Sequence, residues 1–375
     1  MNAFDNIVAQ ERITWSLAQV MGRLGWDQET VMPRGAAEQR GEEMAALEEV
    51  LHARRTDPRL GEWLAEAEAP DATGEAILRH VRRSYARNTR IPAALAAELA
   101  RVTSVAQGTW AEARARDDVA HFLPTLARVI ALKREEAAAL AQNGDLYDAL
   151  LDDYEPGTSG AEIAAMFARM RPRLVALREK VLGAPVQPQA LKGEFSREAQ
   201  LRLSRKLAEA YGYDFAHGRI DLAVHPFSSG SGADVRITTR VVETDPFNCF
   251  YSTIHEVGHA CYEQNIRPDY RYSPLGNGVS MGVHESQSRI YENQLGRSRG
   301  FTGWLHGQMA AEFGDLGLEA DAFHAAVNRV QPGYIRTEAD EVHYNLHIMM
   351  RFDLERALIA GDLEASTLEE AWNAR

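Results

Sequence analysis

The stretch His255-Glu256-Val257-Gly258-His259 constrains this chain more than any other. It reads H-E-x-x-H, and on a helix residues i and i+4 lie on one face, a turn apart. Two imidazoles stacked in this way can take two corners of a zinc tetrahedron. The Glu beside the first His points to the neighbouring sector, where a metal-held water would sit. A short pattern of this kind also arises by chance, so a third ligand has to come from elsewhere in the chain.

The bulk of the sequence narrows the setting. At 375 residues, 45% hydrophobic, the chain can bury a large core. A net charge of -13 without any Lys/Arg block argues against nucleic acid and anionic membrane as partners. No apolar run approaches the length of a bilayer span, and Met1-Asn2-Ala3-Phe4-Asp5 has neither the basic nor the apolar region of a signal peptide. The only two cysteines, Cys249 and Cys261, read as small core residues, which points to a reducing cytoplasm rather than a secreted disulfide scaffold.

Residues 1 to about 180 read as successive helices, rich in Ala, Leu, Glu and Arg. Ser159-Gly160-Ala161-Glu162 is a capping box ahead of Ile163, Met166, Phe167, Met170 and Leu174 at helical spacing. Pro172 is expected to kink that helix or end it early. Residues 183–194 form a loop, and a helix resumes at Ser196 and runs to about Tyr211. The texture changes at 217–244. Ile220, Leu222 and Val224 alternate with polar or small residues, Ser228 to Gly232 read as a turn, and Val235 to Val242 is β-branched. This is a hairpin-like signal, either closing the core or offering an edge to an extended peptide. The metal helix is expected at about 247–265, a second helix from near Val283, and further helices over 301–330 and 336–360.

A zinc peptidase site needs three protein ligands and one open position. Glu285 and Glu292 on the second helix and Glu263 on the first are the candidates; Glu263 would have to reach back along its helix axis.

With these stretches in view, the chain resembles the M32 metallocarboxypeptidases of the carboxypeptidase Taq type. The resemblance is carried by Trp26-Asp27-Gln28-Glu29-Thr30-Val31-Met32-Pro33, His225-Pro226-Phe227, Asp234 to Thr238, His255 to His259, His284-Glu285-Ser286-Gln287-Ser288-Arg289, and Ile335-Arg336-Thr337-Glu338-Ala339-Asp340, in that order. It implies that His255, His259 and Glu285 are the zinc ligands and Glu256 the general base. It implies a mainly α fold with a small β-sheet beside the metal helix and a deep groove, assembled as a homodimer. The whole of 1–375 is then one helical peptidase domain, with the N-terminal helices as a wall or lid and 217–375 carrying the metal site. The family normally continues with a G-x-x-Q-D-x-H-W motif, whereas this chain stops at Trp372-Asn373-Ala374-Arg375, so the C-terminal segment that helps to build the groove is expected to be missing.

The expected function is removal of C-terminal residues from peptides by a zinc-activated water, with Co2+ or another divalent ion as an alternative metal. The alternatives are an oligopeptidase cutting internally and an inactive zinc-binding helical protein. Peptide substrates with a free C-terminus need a group that grips the carboxylate, and a guanidinium does so bidentately. Arg336 is the first candidate, with an ion pair to Glu338 or Asp340 as its structural alternative, while Arg236 suits a pair with Asp234. His225 and Tyr334 are candidate donors to the tetrahedral oxyanion. His343 and His347 form a second i, i+4 pair without an adjacent Glu and read as satisfied histidines. His284 reads as either a neighbour of the metal ligands or a surface residue.

Overall fold

The computed structural model describes residues 2–375. Its helices are α1 (Ala3–Thr30), α2 (Ala37–Arg55), α3 (Pro58–Glu66), α4 (Ala72–Asn88), α5 (Ala93–Arg116), α6 (Val119–Ala141), α7 (Leu146–Leu151), α8 (Gly160–Leu182), α9 (Arg197–Ala210), α10 (Pro246–Gln264), α11 (Met281–Arg289), α12 (Arg299–Phe313), α13 (Ala320–Val327), α14 (Glu341–Ala360) and α15 (Leu368–Asn373). Three strands, β1 (Ile220–Leu222), β2 (Ser228–Ser231) and β3 (Asp234–Thr239), complete a mainly α architecture. No helix among the described residues is long and apolar enough to cross a membrane.

The chain forms two compact units, each assembled from separate segments. The first comprises Met1–Gly157, Ile266–Val279 and Leu354–Arg375. One of its cores gathers Ile7, Leu60, Leu64, Leu78 and Val81 from α1, α3 and α4, and a smaller one joins Ile130 of α6 to Leu358 and Ala365. The second comprises Thr158–Asn265 and Ser280–Asp353. Its main core surrounds α10: Cys249, Phe250, Tyr251 and Ile254 pack on Leu203 and Leu207 of α9, Leu305 and Met309 of α12, and Phe323 of α13.

Helix α8 starts as its sequence predicts, with Ser159 and Glu162 in a reciprocal capping box. It does not stop at Pro172 but runs on to Leu182. The ring removes a donor to the carbonyl of Ala168, and Ala168 and Pro172 both lie on the exposed side of the helix, so the lost bond is not a buried one.

The β region is the main departure from expectation. The Ser228–Ser231 stretch, read as a turn, is itself strand β2, paired antiparallel with β3 from Ser228↔Ile237 to Ser231↔Asp234. The strand β1 pairs parallel with β3, so the sheet order is β1-β3-β2. Strand pairing is backbone chemistry, and a Ser/Gly run can do it once a buried neighbour, here Val235 and Ile237, supplies the hydrophobic anchoring. Gly230 has φ +94°, and a Cβ there would lie 2.0 Å from the Asp234 carbonyl oxygen, so glycine alone permits this approach.

Candidate metal centre

All the residues of this site belong to the second unit. Helix α10 opens with Pro246 in its first turn, where the missing N–H costs nothing. It is buried on nearly every side, Thr253, Ile254, Val257, Ala260 and Cys261 included, with His255 and His259 partly exposed on one stripe. Helix α11 crosses α10 closely because of Gly258. A Cβ at that position would stand 2.5 Å from the Ser288 Cα and 3.1 Å from the Ser288 nitrogen. The amide of Gln287 donates to the Gly258 carbonyl at 3.0 Å and holds the crossing. Beyond Arg289 the helix passes into a π-helical turn, Ile290–Leu295, a form often found beside functional groups.

The crossing brings Glu285 to the two imidazoles. Its Oε2 lies 3.5 Å from His255 Nε2 and 3.1 Å from His259 Nε2. Donors around a four-coordinate ion with bonds of about 2.1 Å are roughly 3.4 Å apart. The three donor atoms lie within 4.8 Å of one another, so this set fits a divalent cation.

Each of the two imidazoles is anchored through its other nitrogen. His255 Nδ1 is 2.8 Å from Glu292 Oε2, while His259 Nδ1 is 2.6 Å from His284 Nδ1. The far side of His284, Nε2, is 2.8 Å from Glu263 Oε1. Arg289 lies between Glu285 of α11 and Glu292 of the π-helical turn, donating from Nε to Glu285 Oε1 at 3.1 Å and from an Nη to Glu292 Oε2 at 3.0 Å. Ser288 Oγ donates to Glu285 Oε2 at 3.1 Å.

The charges set the proton affinities. Glu256 is 6% exposed, and burial pushes its carboxyl up to about 7; His255 pulls it back, while Glu285 and Glu292 add to the rise. Burial disfavours the His255 imidazolium, but hydrogen bonds to Glu285 and Glu292 outweigh it and raise the group to about 10. Burial alone would raise Glu285, yet the hydrogen bonds to His255 and His259 and the charge of Arg289 hold it far below the usual carboxylate range. Burial lowers His259. A carboxyl that titrates near neutrality beside a metal-fitting triad is suited to taking and returning a proton.

The other expected residues are placed as follows. Arg336 donates to the Tyr344 hydroxyl at 2.6 Å, and its guanidinium carbon stands 5.3 Å from that ring. It does not pair with Glu338 or Asp340: Glu338 binds Arg240, and Asp340 accepts from the Gln331 backbone and bonds His343. The Tyr344 hydroxyl is also 3.3 Å from Glu285 Oε1, and Arg289 covers its ring at 3.5 Å, so Tyr344 bridges Arg336 to the metal-fitting carboxylate. His225 is half-buried between β1 and β2, and Tyr334 is 84% exposed. Arg236 pairs with Asp234 at 2.8 Å. His343 is satisfied between Asp340 and Arg178, and His347 lies 3.0 Å from the Gly333 carbonyl oxygen. The Trp26–Pro33 stretch lies in the first unit, where Gln28 exchanges hydrogen bonds with Ser104 and Arg40 pairs with Asp27. Sequence reasoning missed Tyr344 and the bridging role of Arg289. Glu292, two turns after Glu285 on the same face, carried a readable spacing signal, whereas Tyr344 carried none.

The family model for carboxypeptidase Taq (M32) metallopeptidases matches residues 7–375. The chain belongs to that family. It is thus a metallocarboxypeptidase, and the family implies a divalent metal and peptide substrates. It is 44% identical to thermostable carboxypeptidase 1 of Thermus thermophilus, over 99% of this chain and 76% of the relative. It is 33% identical to the Pyrococcus furiosus protein of the same name, over 98% and 75%. Among solved structures, the M32 carboxypeptidase of Deinococcus radiodurans superposes with a TM-score of 0.88 at 37% identity, covering 99% of this chain and 77% of that one. The metallopeptidase fold expected from the sequence is therefore the fold of its structural relatives.

Proposed function

We propose that this metallocarboxypeptidase is zinc-dependent and removes single residues from the free C-terminus of peptides, with His255, His259 and Glu285 as the metal donors and Glu256 as the general base. The observation that carries the reading is the convergence of His255 Nε2 and His259 Nε2 on Glu285 Oε2, at 3.5 and 3.1 Å, with buried Glu256 on the helix of the histidines. Bound at these donors, a divalent cation supplies Lewis acidity toward the scissile carbonyl and the attacking water. Glu256 takes the proton of the attacking water and returns it to the leaving amine nitrogen. Arg336, engaged with a neutral phenol rather than a carboxylate, is available to grip the substrate's α-carboxylate in two parallel hydrogen bonds. His225 and Tyr334 are assigned to hydrogen bonding of the oxyanion.

The test compares a blocked dipeptide bearing a free C-terminus with its amidated counterpart, in the metal-loaded protein and in Glu256→Gln. Release of the terminal residue from the free acid alone, lost in Glu256→Gln while bound metal is retained, is the expected pattern. Cleavage of both substrates points instead to an oligopeptidase, and unchanged hydrolysis in Glu256→Gln removes the base assignment. Elemental analysis of the purified protein decides between zinc and cobalt. The buried, unpaired Cys249 and Cys261 are compatible with the cytoplasm. The homodimer follows the family resemblance and is checked by sedimentation.

A further inference from the structure

The two imidazoles of the triad are anchored in different ways. His255 meets a carboxylate directly, through Glu292. His259 meets a second imidazole, His284, and only through it a carboxylate, Glu263. Donor and acceptor counting fixes the protons along this chain. For His259 to present a lone pair at Nε2, on the side of Glu285, its Nδ1 must carry the hydrogen. That N–H donates to His284 Nδ1, which must then be unprotonated. The hydrogen of neutral His284 therefore sits on Nε2 and donates to Glu263 Oε1. Each step has one solution, and the two distances, 2.6 and 2.8 Å, are those of strong hydrogen bonds. The His284 ring is held flat by its neighbours: Tyr262 lies 4.6 Å and His259 4.8 Å away, each inclined by 34°. Glu263 is 8% exposed, and its Oε2 is buried without a hydrogen-bond partner. Its charge is therefore spent on His284 alone.

We propose that His284 and Glu263 are positioning residues that act in series through His259, setting its tautomer and raising its basicity toward the metal. The inference rests on the assignment of His255, His259 and Glu285 as metal donors. It is tested by binding, independent of turnover: the metal-free protein is titrated with Zn2+ and Co2+ against a competing chelator. His284→Ala and Glu263→Gln are each expected to weaken binding by about 10–100-fold. His284→Asn places Oδ1 where Nδ1 stood and restores the acceptor for His259, so it retains more affinity than His284→Ala. Glu263→Gln adds no further loss on the His284→Ala background, because the link is already cut. If packing alone were at stake, the losses would follow the metal-free melting temperatures and not the presence of an acceptor. Wild-type affinity in His284→Ala, or losses that multiply in the double variant, overturns the series arrangement. His255→Ala separates the two levels: if it abolishes binding while His284→Ala keeps wild-type affinity, the relay alone is refuted, and if it changes nothing the donor assignment fails and the relay with it.

Discussion

Replacing Gly258 with Ala tests the idea that the geometry of the His255, His259 and Glu285 triad depends on how closely two helices cross. The new Cβ would lie 2.5 Å from the Ser288 Cα, where carbon atoms in contact prefer about 3.5–4.0 Å. The obstacle is backbone, which cannot swing aside, so α10 and α11 must separate by about 1.0–1.5 Å. Overpacking of this kind costs about 1–3 kcal/mol, and alanine returns about 1 kcal/mol of helix propensity. The metal-free protein should therefore lose only about 0–2 kcal/mol. The donor set is far less tolerant. Metal–ligand bonds accept deviations of about 0.2 Å, and Glu285 sits one turn from Ser288 on the helix that must move. Its side chain can recover part of the displacement, leaving an affinity loss on the order of 100-fold for Zn2+. Chelator competition and chemical denaturation of the metal-free variant measure the two effects separately. The reasoning fails if Gly258→Ala binds metal within about threefold of wild type, or if the metal-free protein loses stability in proportion to affinity.

Three further outcomes are expected. Arg336→Lys keeps the charge but not the bidentate fork, so KM for a free C-terminus should rise at least tenfold, about 1.4 kcal/mol, with a smaller change in kcat; an unaltered KM removes Arg336 from substrate binding. Glu136 is buried, and although burial raises its carboxyl, Lys133 at 2.7 Å and Arg87 at 3.0 Å hold it below its ordinary value. A depressed carboxylate stabilises the fold above the unfolded-state value and loses that contribution as pH falls through the folded one. Glu136→Gln should therefore cost about 2 kcal/mol at pH 7 and progressively less on acidification; a constant gap across urea melts at pH 7 and below pH 4 contradicts the sign. Ser159→Ala removes the α8 capping box and should cost about 1 kcal/mol, read as a shift in the denaturation midpoint, and no shift would mean that the first turn contributes nothing to stability.

Most of the helical architecture is legible in the sequence because it is written locally, in caps such as Ser159 and in apolar periodicity. The triad is legible for the same reason on α10, where the i, i+4 spacing of His255 and His259 is itself the geometry. Glu285 is harder: its distance from the histidines depends on the Gly258–Ser288 contact, which no local pattern announces, and Glu263 and Glu292 compete on composition alone. The structure separates these acids by position. Glu285 faces both Nε2 atoms, Glu292 backs His255, and Glu263 backs His284. Tyr344 could not be read at all, because its importance lies in tertiary contacts with Arg336, Arg289 and Glu285. The β2 strand was hidden by its Ser/Gly composition, which signals a turn wherever backbone pairing is not known in advance.

That same strand has a consequence for solubility. A sheet margin left open is ordinarily a template on which another copy can add a strand. Here the β2 margin is Ser228-Ser229-Gly230-Ser231, four residues long, without an aliphatic side chain and bent at a left-handed glycine. It offers an incoming strand few hydrogen bonds and no apolar surface to bury. The β2 margin therefore gives an incoming strand little to pair with, and a Val-rich replacement of these four residues would take that protection away.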